Sequence, residues 1–288
     1  MGRVRRIWVQ ALSALAANAN LGGFVRGEVY SGKSKNVCVP GFNCYACPGA
    51  IGSCPIGALQ AVLGSAKFQF SFYVLGTLLL FGLIAGRWIC GWLCPFGLFQ
   101  DLLHRIPTKK WRVPQGLRWL RYTKYVLLAV PVLLLPVLLV SSTGLADPYF
   151  CKYICPNGTI FGALPLMAVS ETLRASAGAL FVWKLGLALV IVALCIQVYR
   201  FFCRFLCPLG AIYGLFHRIA FVRLRVDTHR CTHCGVCAKA CKLDVDPVKT
   251  PDSPECIRCD VCSKACPHGA IKIGFPAKQE HKETPDHK

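Results

Sequence analysis

Eight cysteines between Cys231 and Cys266 leave that segment few ways to fold. They form two runs of one spacing, C-x2-C-x2-C-x3-C. "CTHCGVCAKAC" supplies Cys231, Cys234, Cys237 and Cys241, and "CIRCDVCSKACP" supplies Cys256, Cys259, Cys262 and Cys266. In such runs three thiolates wrap one iron–sulfur cubane and the fourth reaches across to the other. The spacing therefore groups Cys231, Cys234, Cys237 and Cys266 around one [4Fe–4S] centre. Cys256, Cys259, Cys262 and Cys241 form the second set. Zinc also takes four cysteines, but two consecutive three-spacer runs are unusual for zinc. His233 and His268 lie close by. They read as surface residues that tune hydrogen bonds, since the thiolates already suffice.

The rest of the chain is of another kind. Of its 288 residues 55% are hydrophobic and only 16% charged, yet the net charge is +20. Residues 227–288 contain no long apolar run, whereas residues 1–226 contain several. Phe70–Arg87, Tyr122–Val140 and Ala179–Tyr199 are long enough to cross a hydrocarbon core of about 30 Å. Pro131 and Pro136 should kink the second. Ile7–Phe24, behind "MGRVRR", is a weaker fourth span, with a cleaved signal as the other reading.

With the N-terminus inside, the inner segments 1–6, 87–124 and 200–225 hold sixteen Lys and Arg, against six in the outer segments 25–69 and 141–177. That bias places residues 227–288 in the cytoplasm and the basic loop after His104 near acidic headgroups. The positive charge thus follows the membrane segments, which argues against nucleic acid as partner.

A repeat lies inside the apolar part. "RWICGWLCPFGLFQDLLHRI" (87–106) and "RFFCRFLCPLGAIYGLFHRI" (200–219) agree at ten of twenty positions with a constant offset of 113. Each places C-x3-C-P where a hydrophobic run ends. Proline disfavours helix at the residue before it and suits the first helical position. Each copy should therefore break, with Cys94 or Cys207 capping a new short helix. Free N–H groups at such a start suit an anionic partner. Gly97 and Gly210 would let the backbone come close. Cys90, Cys94, Cys203 and Cys207 make four ligands, enough for one further cluster. A redox-active thiol pair in each copy, or inert packing, are the other readings. His104 and His217 are repeat-equivalent, and so are Arg105 and Arg218; the histidines are candidates for a quinone site or for polar anchors at the headgroups.

Six cysteines fall on the outer side: Cys38, Cys44, Cys47, Cys54, Cys151 and Cys155. One arrangement sets Cys47, Cys54, Cys151 and Cys155 around an outer cluster and leaves Cys38 and Cys44 for a disulfide. Another makes one site of the four N-terminal cysteines. Both stay open. Cys195 reads as a small core residue.

The two C-x3-C-P elements followed by the two cysteine runs resemble the membrane iron–sulfur proteins of the NapH/NosR type, over about Arg87 to Lys272. "FNCYACPGAIGSCPIGALQ" and "FCKYICPNG" look like a polyferredoxin branch of such proteins, mostly from anaerobes. Lys242 stands after Cys241, where the ferredoxin pattern usually has proline. The apolar runs predict a mainly α membrane bundle of about four spans with short re-entrant or interfacial helices (1–226), the cysteine runs a small α+β two-cluster ferredoxin domain (227–275), and the polar tail (276–288) reads as disordered. The resemblance implies electron transfer in anaerobic respiration at a prokaryotic inner membrane.

The expected chain is an electron-transfer component of an oxidoreductase system rather than a stand-alone enzyme. It would link a cytoplasmic carrier, the quinone pool and an extracytoplasmic redox partner. Its partners would be membrane lipid and a flavoprotein or quinone-linked subunit. Its cofactors would be two [4Fe–4S] clusters, one or two more in the membrane part, a quinone, and a flavin on the partner. A membrane reductase of quinone, thiol or metal ion using the inner C-x3-C-P site is the alternative, and an assembly or anchoring subunit a third reading. A conduit meets one obstacle at this stage: inner and outer sites should lie about 30 Å apart.

Overall fold

The computed structural model describes residues 2–65, 72–139 and 146–275. The expected tail, 276–288, lies outside them. The fold is mostly helical. Two helices are long and apolar enough to cross a membrane, Gly116–Leu138 and Ala179–Gln197, and Phe72–Ile84 and Gly158–Val169 are shorter apolar helices. Phe72–Ile84 has 13 residues, about 20 Å of rise, short of a hydrocarbon core. The N-terminal helix Gly2–Ala17 has 16 residues. Leu80, Leu134, Val182, Trp183 and Leu189 are exposed, which gives these helices apolar outer faces suited to lipid.

Pro131 has no N–H to donate, and the chain around it widens into a π-helical stretch, Leu128–Leu134. Such widening absorbs a missing backbone bond within a helix. Pro136 opens the next α-helical segment.

Four helical segments start at a Cys-Pro pair. Pro55–Leu63, Pro95–Leu103 and Pro208–Leu215 have Cys54, Cys94 and Cys207 as extended N-caps. Cys155 is extended in the same way before Pro156. These starts meet in one buried core with Ile56, Phe96, Phe150, Phe202, Leu209 and Tyr213.

The ferredoxin-like unit closes with two antiparallel strands, β1 (Arg223–Val226) and β2 (Ile271–Gly274), in register Arg223↔Gly274 to Val226↔Ile271. The pairing begins four residues before the boundary expected at 227. The two cysteine runs share an unusual backbone. His233 and Gly235 in the first, and Arg258 and Asp260 in the second, all have positive φ, from 49° to 73°. Left-handed conformations flanking a residue curl successive N–H groups toward one point, a concavity suited to anions. Non-glycine residues adopt them at a cost of about 1–2 kcal/mol each.

This unit rests directly on the two inner Cys-Pro breaks. Trp92 donates to the Arg258 carbonyl at 3.0 Å. Arg258 donates to the carbonyls of Ala85 at 3.3 Å and His217 at 2.7 Å. Arg204 pairs with Asp244 at 2.8 Å. Arg87 and Lys124 both pair with the buried carboxylate of Glu255.

Gly91 sits against the carbonyl of Ile257, and a Cβ there would overlap that oxygen. Gly91→Ala is expected to weaken the docking by about 1–3 kcal/mol. Faster hydrogen exchange over 254–260 would show it; unchanged exchange would mean that the contact has slack.

Candidate metal centres

The chain presents four sets of four cysteines. The first, Cys231, Cys234, Cys237 and Cys266, lines one cavity together with His233 and His268. The Ala270 N–H lies 3.4 Å from Cys266 Sγ. The Val236 N–H and the Thr232 hydroxyl hold the exposed Cys234 thiol below its ordinary value. In the second set Cys262 is within electrostatic reach of Cys256, Cys259 and Cys241, and burial pushes it up to about 12. A cation binding there must displace protons.

The third set joins the two halves of the repeat. Cys207 is within electrostatic reach of Cys203, Cys90 and Cys94. All four are buried. The fourth set differs from the expected outer one in one member. Cys155 interacts with Cys151, Cys44 and Cys54, so Cys44 stands where Cys47 was expected. Cys47 lies beside both Lys35 and Cys44. Cys38 and Cys44 are both free, and the Cys38 thiol lies 3.8 Å from the Ser53 hydroxyl. The outer loop folds inward, which carries Cys44 to the Cys-Pro starts and leaves Cys38 behind.

Third and fourth sets share one architecture. "CPIGALQ" (54–60) and "CPFGLFQ" (94–100) are both C-P-x-G-x-x-Q, and "CKYICPNG" (151–158) matches "CRFLCPLG" (203–210) in the same fashion. The structure gives the glutamine its use. Gln60 donates to Cys151 Sγ at 3.2 Å, and Gln100 donates to Cys203 Sγ at 3.0 Å. Each amide oxygen accepts a backbone N–H on the facing segment, Phe150 at 3.0 Å and Cys203 at 3.5 Å. Both glutamines are fully buried. Sequence reasoning missed them, although the sixth position after each Cys was the available signal.

Among the described residues no three His, Cys, Asp or Glu groups converge tightly enough for a single ion. One zinc would need its sulfurs about 2.3 Å from a common point. Four thiols per site, with N–H donors aimed at the sulfurs, fit a larger anionic cluster.

The comparisons agree with that donor set. A 4Fe-4S binding domain family matches residues 68–114, 128–166 and 179–226. A second 4Fe-4S binding domain matches residues 250–272. An uncharacterized protein of Methanocaldococcus jannaschii is 27% identical over 69% of this chain and 69% of its own length. The putative electron transport protein YccM of Escherichia coli is 28% identical over 66% of this chain and 50% of its own. The ferredoxin-type protein NapH of Escherichia coli is 26% identical over 65% of this chain and 59% of its own. The chain thus spans from half to about two thirds of these relatives. No solved structure matches it.

Four segments of the chain thus match 4Fe-4S binding domains.

The third and fourth cysteine sets are not separated by the expected gap of about 30 Å. The Phe42 N–H lies 3.4 Å from Cys94 Sγ of the inner set, and Cys44, two residues on, belongs to the outer set. Tyr213, held by its hydroxyl to the Pro40 carbonyl at 2.9 Å, is within electrostatic reach of Cys54 on one side and of Cys90, Cys94 and Cys207 on the other. Phe42, Phe96 and Phe202 pack among them, with ring centroids 5.0–5.7 Å apart. The gap closes because the Cys-Pro helices start inside the bundle rather than at its ends.

The two repeat-related histidines differ. His104 lines a polar cavity with Arg6, Asp101, Arg105, Tyr199 and Lys242. His217 is wholly enclosed, and neither ring nitrogen has a partner. Burial, next to the Arg258 and Arg87 guanidiniums, pushes it down to about 2, so the ring is neutral. A ligand cannot reach His217 without opening the domain interface.

Proposed function

We propose that the chain is a multi-pass membrane conduit for electrons, with four [4Fe–4S] sites. They are Cys231/Cys234/Cys237/Cys266, Cys241/Cys256/Cys259/Cys262, Cys90/Cys94/Cys203/Cys207 and Cys44/Cys54/Cys151/Cys155. When bound, each cluster would accept and release one electron. The protein's part is to hold, insulate and space them. The Cys-Pro starts fix thiolates at helix N-termini, Gln60 and Gln100 stabilise the sulfurs, and the aromatic packing keeps water out. The observation that carries this reading is the bridge Pro40–Cys44 with Tyr213, which touches inner and outer sets at once.

The Lys and Arg bias supports a cytoplasmic ferredoxin domain, residues 223–275, and the prokaryotic relatives support a prokaryotic cell membrane. Electrons would enter from a cytoplasmic carrier and leave to an extracytoplasmic redox partner. The cavity at His104 adjoins the second site, since Arg6 and Tyr199 both interact with Cys259. That supports a second reading, in which a quinone, thiol or metal ion is reduced at this face.

Iron content of anaerobically purified protein tests the assignment. Four cubanes give about sixteen iron atoms per chain. Cys44→Ser is expected to lower the value to about twelve, and Cys47→Ser to leave it unchanged. A wild-type value of about eight would confine clusters to the ferredoxin runs and return the membrane cysteines to thiol chemistry.

A further inference from the structure

Arg87 and Arg200 are equivalent under the 113-residue offset, and each reaches across to the other half of the repeat. Arg87 donates to the Cys203 carbonyl at 3.0 Å, and Arg200 donates to the Cys90 carbonyl at 2.6 Å. Both are wholly buried, at 1% and 0% exposure. A Cβ at Gly97 would crowd the Arg200 guanidinium at 3.3 Å, whereas one at Gly210 would meet that of Arg87 only at ordinary contact, 3.6 Å. The backbone of Arg200 is held at a φ of 52°, a conformation that a bulky residue keeps only when its surroundings impose it.

The charges around them do not cancel. Arg87 and Lys124 share the one carboxylate of Glu255. Arg200 and Arg6 share the one carboxylate of Asp101. Each triad has two cations and one anion, so the two triads leave two buried positive charges beside the inner cysteines. The neighbouring Arg204–Asp244 pair is neutral in itself. Arg258 lies by Cys256 and belongs to the next site. Four neutral thiols would leave those two charges uncompensated out of water, which is costly. Four thiolates on an oxidised cubane form a dianion, which matches them.

Building on the site assignment above, we infer that Arg87 and Arg200 are the counter-charges of the inner site, and that they raise its reduction potential. Net charge around a cluster is one of the terms that sets its potential. Taking up one electron makes the dianion a trianion, and two fixed guanidiniums favour that step. Arg200 touches a backbone carbonyl, whereas Arg87 also reaches the Cys90 sulfur, so both act through position and charge.

The test is a mediated redox titration followed by EPR, with iron counted on each sample. Arg200→Gln and Arg87→Gln are expected to keep the iron and to lower the inner midpoint by at least the 59 mV that a tenfold change in a one-electron equilibrium represents. Arg200→Lys retains the charge and should stay within that margin. A full iron count with an unmoved midpoint in both Gln variants overturns the inference and leaves the site assignment standing. A wild-type count that lacks the inner centre overturns both. If the Gln variants lose the inner iron, Arg200→Lys decides. Iron kept at the wild-type midpoint supports charge, and iron lost there too makes the arginines geometric clamps only.

Discussion

Replacing Cys94 and Cys207 by alanine is expected to reduce electron passage across the membrane part to the level of protein-free vesicles. These cysteines are the N-cap residues of two half-helices, one from each repeat, with the Cys207 thiol accepting from the Gly210 N–H, and they are 3% and 4% exposed. They stand between the ferredoxin sets and the outer set. The Phe42 N–H on Cys94 is the direct link to the outer loop. The assay is reduction of an impermeant dye enclosed in proteoliposomes, driven by a reduced soluble carrier added outside. The EPR signals of the ferredoxin pair should persist in the variant, because none of their cysteines is altered. Transfer at the wild-type rate would take the inner set off the route.

Glu255→Gln is expected to be the most destabilising single change at the domain interface, by about 3–5 kcal/mol. The Glu255 carboxylate accepts from Arg87 at 3.1 Å and from Lys124, whose side chains are 1% and 0% exposed. Removing one charge strands two cations out of water, and the loss exceeds what the pairs contribute when intact. Thermal unfolding and hydrogen exchange over 223–275 both report it. Glu255→Asp keeps the charge and should recover most of the loss. An unaltered melting curve in Glu255→Gln would mean that water reaches the carboxylate.

The two ferredoxin-type cysteine runs stand out in the sequence because their pattern is local, with three of every four thiols in one tight turn. The Cys-Pro breaks were legible for the same reason, since proline acts on its immediate neighbours. The fourth outer cysteine was not legible. Which of Cys44 and Cys47 comes nearer to Cys155 depends on how the loop from Val39 folds, and no nearby residue records that. Strand β1 was hidden too, since its partner lies some 45 residues along. The buried cations were misplaced by a sound rule. Counting Lys and Arg by segment places Arg87, Lys124, Arg200 and Arg204 in the inner connections, yet all four lie in the interior with carboxylate partners. Topology rules count charges; they do not see which are spent inside.

The cap that Glu255 and Arg258 form over the inner breaks bears on how the protein is made. Once Arg87 has closed on Glu255 and Trp92 on the Arg258 carbonyl, the inner cysteines are sealed from the ferredoxin side. On the proposed assignment, iron and sulfide would have to arrive before that closure, giving biogenesis an order: membrane insertion, loading of the inner cysteines, docking of the C-terminal unit. Chain synthesised without iron and supplied with it afterwards should fill the exposed first ferredoxin set readily and the inner set only on the timescale of domain opening. Equal filling rates would show that the cap breathes faster than iron is delivered.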